Sequence, residues 1–156
     1  YVIEFNARFG DPEAMNVLSV MESSMIDLIA AAEAGDPLPE PMFTPHATVV
    51  RYLVPAGYPT DPNAGTIVDI SELEAAVSRL YVASVHADDD GRVRTTTSRA
   101  VAVVGIAATL EQAAASATFD PEQIGSDGLR WREDIGTPAA VRERTHRIQE
   151  IKSDAK

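Results

Sequence analysis

Glu4 and Asn6 stand two positions apart in the opening run Tyr1-Val2-Ile3-Glu4-Phe5-Asn6. On a strand, residues i and i+2 point to the same face, which would set a carboxylate and an amide oxygen side by side. Such oxygens suit a hard cation such as Mg²⁺, which takes one or two protein ligands and completes its shell with water or substrate phosphates. The same spacing also describes a polar strand face meeting solvent. Other chemistry-bearing residues are poorer candidates. His46, His86 and His146 are scattered without ligand spacing, and the serines lack the strand–turn–helix context of a nucleophile elbow. Asp88-Asp89-Asp90-Gly91 lacks the alternation and distant Glu of a calcium loop and reads as a hairpin turn. Trp131, between Arg130 and Arg132, could make a cation–π contact or a small ligand surface, or simply pack a C-terminal strand.

The elements that must position these residues follow from periodicity and punctuation. Residues 1–6 alternate as a strand. Asp11-Pro12-Glu13 has the marks of a helix start, with Asp11 as the cap, proline in the first turn and an acid at the positive dipole end. The apolar spacing predicts one helix from about 12 to 34, ended by Gly35 and the proline-rich stretch 36–41. Beyond it the expected elements are a strand over 47–54, a turn-rich loop over 55–65 and a strand over 66–70. A capping box at Ser71 opens a short helix to about Leu80. A hairpin of 81–87 with 92–97, an apolar strand over 99–107, a capped helix from Thr109 to about Ala117 and a last polar helix over 138–151 complete the chain. The fold class is therefore α+β: a strand–helix piece followed by a small, mainly antiparallel β domain with covering helices.

Composition bounds the functions. The 156 residues carry 13 basic and 24 acidic side chains, for a net charge of −11. That balance argues against a nucleic-acid module and against docking on anionic membranes. No apolar run is long enough to span a bilayer. Without cysteine there is no disulfide scaffold, thiol nucleophile or thiolate metal site. The only two lysines, Lys152 and Lys156, lie in the last five residues, so the cationic side is almost all arginine. An acidic, lysine-poor surface is expected of a protein adapted to a salty cytoplasm. The chain opens at Tyr1 inside an apolar run with no leader-like segment, and a further N-terminal part of the polypeptide is expected upstream.

Arg8-Phe9-Gly10-Asp11-Pro12-Glu13-Ala14-Met15 reproduces the signature octapeptide of phosphoribosylamine–glycine ligases, also called glycinamide ribonucleotide synthetases, of the ATP-grasp superfamily. Glu4-Phe5-Asn6 resembles the Glu-x-Asn that ends the catalytic sheet of this family. Ala56-Gly57-Tyr58-Pro59 looks like its Gly-Tyr-Pro loop, and Thr109-Leu110-Glu111-Gln112-Ala113 is similar to its helix opening. Arg130-Trp131-Arg132-Glu133-Asp134-Ile135-Gly136 resembles its closing Arg-x-Asp-Ile-Gly segment. The motifs occur in the family's order and span almost the whole chain.

The resemblance implies a ligase of purine biosynthesis, with ATP, glycine and 5-phosphoribosylamine as partners and Mg²⁺ or Mn²⁺ as the metal. It implies Glu4 and Asn6 as metal ligands bridging ATP phosphates, and Arg8 stabilising charge on the phosphate or acyl phosphate. Gly10 and Asp11 would shape the turn near the substrate amine or ribose, although for Asp11 a plain helix cap is an equal reading. It divides the chain into 1–41 as the end of the ATP-grasp catalytic domain, 42–137 as the small β-rich domain and 138–156 as a helix and tail. A cytoplasmic location goes with it. Three stretches depart from the family pattern: Thr97-Ser98-Arg99-Ala100-Val101 in place of a Gly-Gly-Arg-Val segment, Val85-His86-Ala87-Asp88 in place of Phe-His-Ala-Gly, and Ala64 in place of a lysine. Contacts from the small domain to substrate are therefore left unassigned. The nucleotide clamp is absent from the sequence, so this piece is expected to be inactive alone. The competing readings are a non-catalytic interaction module and the C-terminal domain of another ATP-grasp carboxylate–amine ligase.

Overall fold

The structure is a computed structural model, and it describes residues 2, 5, 7–71, 79–119 and 128–154. The β-branched run Ala47–Pro55 forms β1, the central strand. After it come β2 (Leu80–Val82), β3 (Val85–Ala87), β4 (Val93–Thr95), β5 (Val101–Ala107) and β6 (Leu129–Arg130). The helices are α1 (Glu13–Leu18), α2 (Met25–Ala34), α3 (Leu110–Ser116) and α4 (Pro138–Asp154). Strands β2-β5-β1-β6 make one sheet, antiparallel throughout, and β3 and β4 form a separate two-stranded ribbon. This is the expected α+β class.

The central pair runs in register from Ala47↔Ala107 to Leu53↔Val101, and its alternation builds two faces. Val49, Leu53, Val101 and Val103 point to one side and bury against Ala113, Ala114 and Ala117 of and just after α3, with Phe119 and Leu129. Val50, Ala102 and Val104 point to the other, where Met15 of α1 and Tyr52 pack. The approach of α3 is close enough to require glycine at 105. A Cβ there would collide with the Ala113 carbonyl oxygen and lie 2.5 Å from Ser116 Oγ. Thr109 caps α3 by accepting from the Gln112 amide at 3.3 Å, as the sequence predicts.

Four expectations are corrected. The single helix over 12–34 is two helices, because the chain leaves the helical path after Leu18 and re-enters it at Ser24, whose hydroxyl accepts from Asp27 N. Between them Met21 bridges Phe43. Asp11 is not the cap of α1: Pro12 holds that position, no side chain caps the helix, and the Asp11 carboxylate is engaged elsewhere. The run 81–87 is two strands. The chain switches at Ala83–Ser84 from pairing with β5 to pairing with β4. The strand over 66–70 reduces to a single bridge, Ile67↔Arg94, before helical turn begins at Ile70. Of the first six residues, Val2 and Phe5 are exposed and outside any strand, and the others lie outside the described residues. So does most of the helix expected after Ser71.

Candidate functional site

The octapeptide forms the turn into α1, and β1 presents Tyr52 toward it on the same face as Val50 and Val54. The Tyr52 hydroxyl donates to Asp11 Oδ1 at 2.5 Å, while Arg99 Nη2 holds Asp11 Oδ2 at 2.9 Å. The Arg99 guanidinium also lies 4.8 Å from the centre of the Tyr52 ring, a cation–π distance. Its Nη1 donates to the Asp11 carbonyl at 3.3 Å. Burial, reinforced by the hydrogen bond to Asp11, pushes the Tyr52 hydroxyl up from 10.0 to about 12. Tyr52 therefore stays protonated and acts as a donor throughout the neutral range.

The remaining octapeptide residues are placed by simpler contacts. The Gly10 carbonyl accepts from Ala14 N at 2.9 Å, and a Cβ on Gly10 would meet Glu13 Oε2 at 2.7 Å. Arg8 is exposed and its Nη1 donates to the neighbouring Phe9 carbonyl at 3.2 Å. No contact among the described residues joins Arg8 to the Asp11–Tyr52–Arg99 cluster. Glu4 and Asn6 lie outside the described residues. Among the described residues no group of three or more histidines and acids could hold a metal ion.

Beside the cluster a cavity of about 440 Å³ opens on the same face, walled by Tyr52, Tyr58, Arg99, Arg130, Trp131 and Arg132. Register explains its composition. Arg130 of β6 lies opposite Val54, on the cavity face, whereas Leu129 lies opposite Pro55 and joins the core. Gly57, at φ +85 and with no room for a Cβ beside the Asp61 carbonyl, turns the loop that carries Tyr58 and Pro59 to the rim. The opposite wall is fixed by Arg51. This side chain is 5% exposed, and its guanidinium donates to Thr118 Oγ1 (2.9 Å) and to the carbonyls of Glu133 (3.0 Å) and Ile135 (2.7 Å). Burial lowers its pKa, opposed by the nearby Glu133 and Asp134. Arg132 pairs with Asp134 through two nitrogens, which holds the Asp134 carboxyl below its usual range. The sequence flags Trp131 and its flanking arginines but gives no sign that Tyr52 and Arg99 would join Asp11.

A family model described as the phosphoribosylglycinamide synthetase C domain matches residues 48–138. The chain is 46% identical over 153 residues to the phosphoribosylamine–glycine ligase of Methanococcoides burtonii, covering 97% of this chain and 34% of that protein. It is 40% identical over 157 residues to the ligase of the same name from Methanopyrus kandleri, covering 98% of this chain and 35% of that protein. Among solved structures it resembles the phosphoribosylamine–glycine ligase of Thermotoga maritima, with a TM-score of 0.64 and 25% identity, covering 86% of this chain and 33% of that one. The chain thus spans about a third of the length of the relatives it matches.

Proposed function

Since the chain belongs to the phosphoribosylglycinamide synthetase family and carries its C domain, we propose that it is the C-terminal part of a ligase joining glycine to 5-phosphoribosylamine at the expense of ATP. ATP phosphorylates glycine to glycyl phosphate. The sugar amine then attacks the acyl carbon, displacing phosphate and leaving glycinamide ribonucleotide and ADP. The observation that carries this reading is the tie between Asp11 and the C domain. Tyr52 and Arg99 hold the octapeptide turn against β1, so motif and domain form one surface.

In this reading residues 1–41 close the catalytic domain, 42–137 form the small domain, and 138–156 are helix and tail. Arg8 stabilises charge on the transferring phosphate or acyl phosphate with its fixed fork of donors. Gly10 and Asp11 shape the turn beside the amine or ribose. Glu4 and Asn6 supply hard oxygen donors of the kind Mg²⁺ or Mn²⁺ takes, and neutralising ATP phosphate charge is the chemistry such an ion supplies. Apolar side chains exposed along the first segment, among them Phe5 (90%), Ile26 (77%) and Phe9 (66%), fit burial against the other two thirds of the ligase. This piece alone is then inactive, and the whole enzyme cytoplasmic. No helix among the described residues is long and apolar enough to cross a membrane.

The test is an assay of the full-length polypeptide for glycinamide ribonucleotide made from ATP, glycine and 5-phosphoribosylamine. Absence of product overturns the proposal. Glu4→Gln should cut turnover by orders of magnitude with the fold retained, and near-normal turnover at saturating Mg²⁺ would remove the metal role.

A further inference from the structure

Arg51 and Tyr52 are neighbours on β1 and so point to opposite faces of the sheet. On the Arg51 side, between α3, the segment 131–133 and the start of α4, lies a second cavity of about 470 Å³. Its charged groups are one guanidinium, Arg51, and two carboxylates, Glu111 and Glu133. Ala114, Phe119 and Pro138 supply apolar wall, and Trp131 adds its indole.

The fold leaves two donors of this wall unused. Arg51 is 5% exposed and commits Nη1 and Nη2 to Thr118 and to two carbonyls, yet its Nε has no hydrogen-bond partner. Trp131 Nε1 is likewise closed off from solvent and likewise unpartnered. A buried N–H without an acceptor costs about 1–3 kcal/mol, and two such donors on residues of one cavity call for an acceptor that enters it. Because one of them belongs to a guanidinium, a carboxylate suits them best, with two oxygens and the opposite charge. A simple anion, however, would meet Glu111 and Glu133, which are exposed and make no ion pair among the described residues. A simple cation would leave both donors unmet. A ligand that carries both charges answers both conditions.

We propose that this cavity binds a free α-amino acid with a small aliphatic side chain. Its carboxylate takes Arg51 Nε and Trp131 Nε1, its ammonium lies between Glu111 and Glu133, and its side chain packs on Ala114, Phe119 and Pro138. Both donor nitrogens face away from bulk water, so the carboxylate reaches them as the half-buried Trp131 ring tilts. The site lies across β1 from the Tyr52–Asp11 contact, and it stands apart from the ligase reading and from the place that reading gives the reacting glycine.

The experiment is calorimetric titration of the full-length polypeptide with L-alanine, L-valine and L-leucine. Isovalerate and isobutylamine follow, being L-valine without its ammonium and without its carboxylate. L-Valine should bind, and each truncated probe should bind about 10-fold more weakly or worse. Trp131→Phe keeps a ring and removes the N–H. It should weaken L-valine by about 10- to 100-fold, the range for a hydrogen bond to a charged group, and abolish the shift in indole emission that the parent shows on binding. Glu111→Gln combined with Glu133→Gln, both at exposed side chains, should erase most of the preference for L-valine over isovalerate. No binding of any of the three amino acids overturns the site and leaves the two donors to water. Binding that Trp131→Phe leaves unchanged places the amino acid elsewhere and overturns it too. A preference over isovalerate that survives the double variant overturns the position of the ammonium. None of these readouts uses ligase turnover, so the site and the ligase reading fail separately.

Discussion

The Tyr52 hydroxyl and the Asp11 carboxylate meet at 2.5 Å although 41 positions separate them in the chain. Together with Arg99, 88 positions from Asp11, this contact fastens the turn before α1 to the middle of β1. Removing the hydroxyl leaves Arg99 holding the carboxylate alone. Tyr52→Phe should therefore lower stability by about 1 kcal/mol, the contribution of a partly exposed hydrogen bond. It should also change the alkaline limb. The Tyr52 pKa is raised in the fold, mainly by burial and then by Asp11, from 10.0 to about 12. Its contribution is thus complete below pH 10 and disappears as pH climbs through about 12. Unfolding measured from pH 9 to about 12.5 should show a shallower alkaline decline in Tyr52→Phe than in the parent. Superimposable profiles would remove Tyr52 from the linkage.

Arg51 is expected to matter more for stability than any exposed arginine. Arg51→Ala withdraws the donors from Thr118 and from two carbonyls, and opens space beneath the Arg132 wall. The expected cost is about 3 kcal/mol, as for other broken buried networks. Arg51→Lys should recover only part of it, since one ammonium cannot span three acceptors held by a planar fork. Denaturation midpoints of the parent and the two variants decide this, and an Arg51→Lys midpoint equal to the parent's would mean that charge alone, without geometry, holds the segment.

Two glycines should respond differently to alanine. At Gly105 a methyl meets the Ala113 carbonyl and Ser116, so α3 must lift off the sheet, at a cost of about 3 kcal/mol or more. At Gly35, φ is +74 and nothing lies within 4 Å, so Gly35→Ala should cost only the left-handed backbone strain of about 1 kcal/mol. A thermal melt of each variant separates close packing from backbone strain.

The acidic surface gives a salt prediction. With 24 acids against 13 bases, repulsion is long-ranged at low salt and short-ranged at about 1 M, where the screening length falls to about 3 Å. The melting temperature should climb steeply across that range in KCl. A flat response would count the acidity as incidental.

How far the fold could be read from sequence depended on whether its determinants were local. The β-branched run of β1, the apolar run of β5, the Thr109 cap and the Gly91 turn each carry their signal within a few residues, and each is found as expected. The break between α1 and α2 also had a local signal, Ser24 with Asp27 three residues on, but the helical spacing of Leu18 and Met21 outweighed it. Asp11 shows the limit most clearly. Asp-Pro-Glu is a legitimate helix start by every local rule, and only the arrival of Tyr52 from β1 and of Arg99 from the segment before β5 redirects its carboxylate. Arg51 was equally opaque. Within a strand of apolar neighbours its parity puts it on the core side, but its acceptors come from segments more than 60 positions later.

The bridge between Met21 and Phe43 has a consequence for how this region can change over time. Glu22 N bonds to Met42 O, Thr44 N bonds to Val20 O, and Met42 N bonds to Ser23 Oγ, so the excursion through α2 leaves and returns at one point. A loop closed at its neck can be lengthened at a small entropic cost, about 0.6 kcal/mol for a doubling. The span from Ser24 to Pro41 is therefore a place where insertions, deletions or a grafted helix can accumulate while the turn at Asp11 keeps its distance from β1.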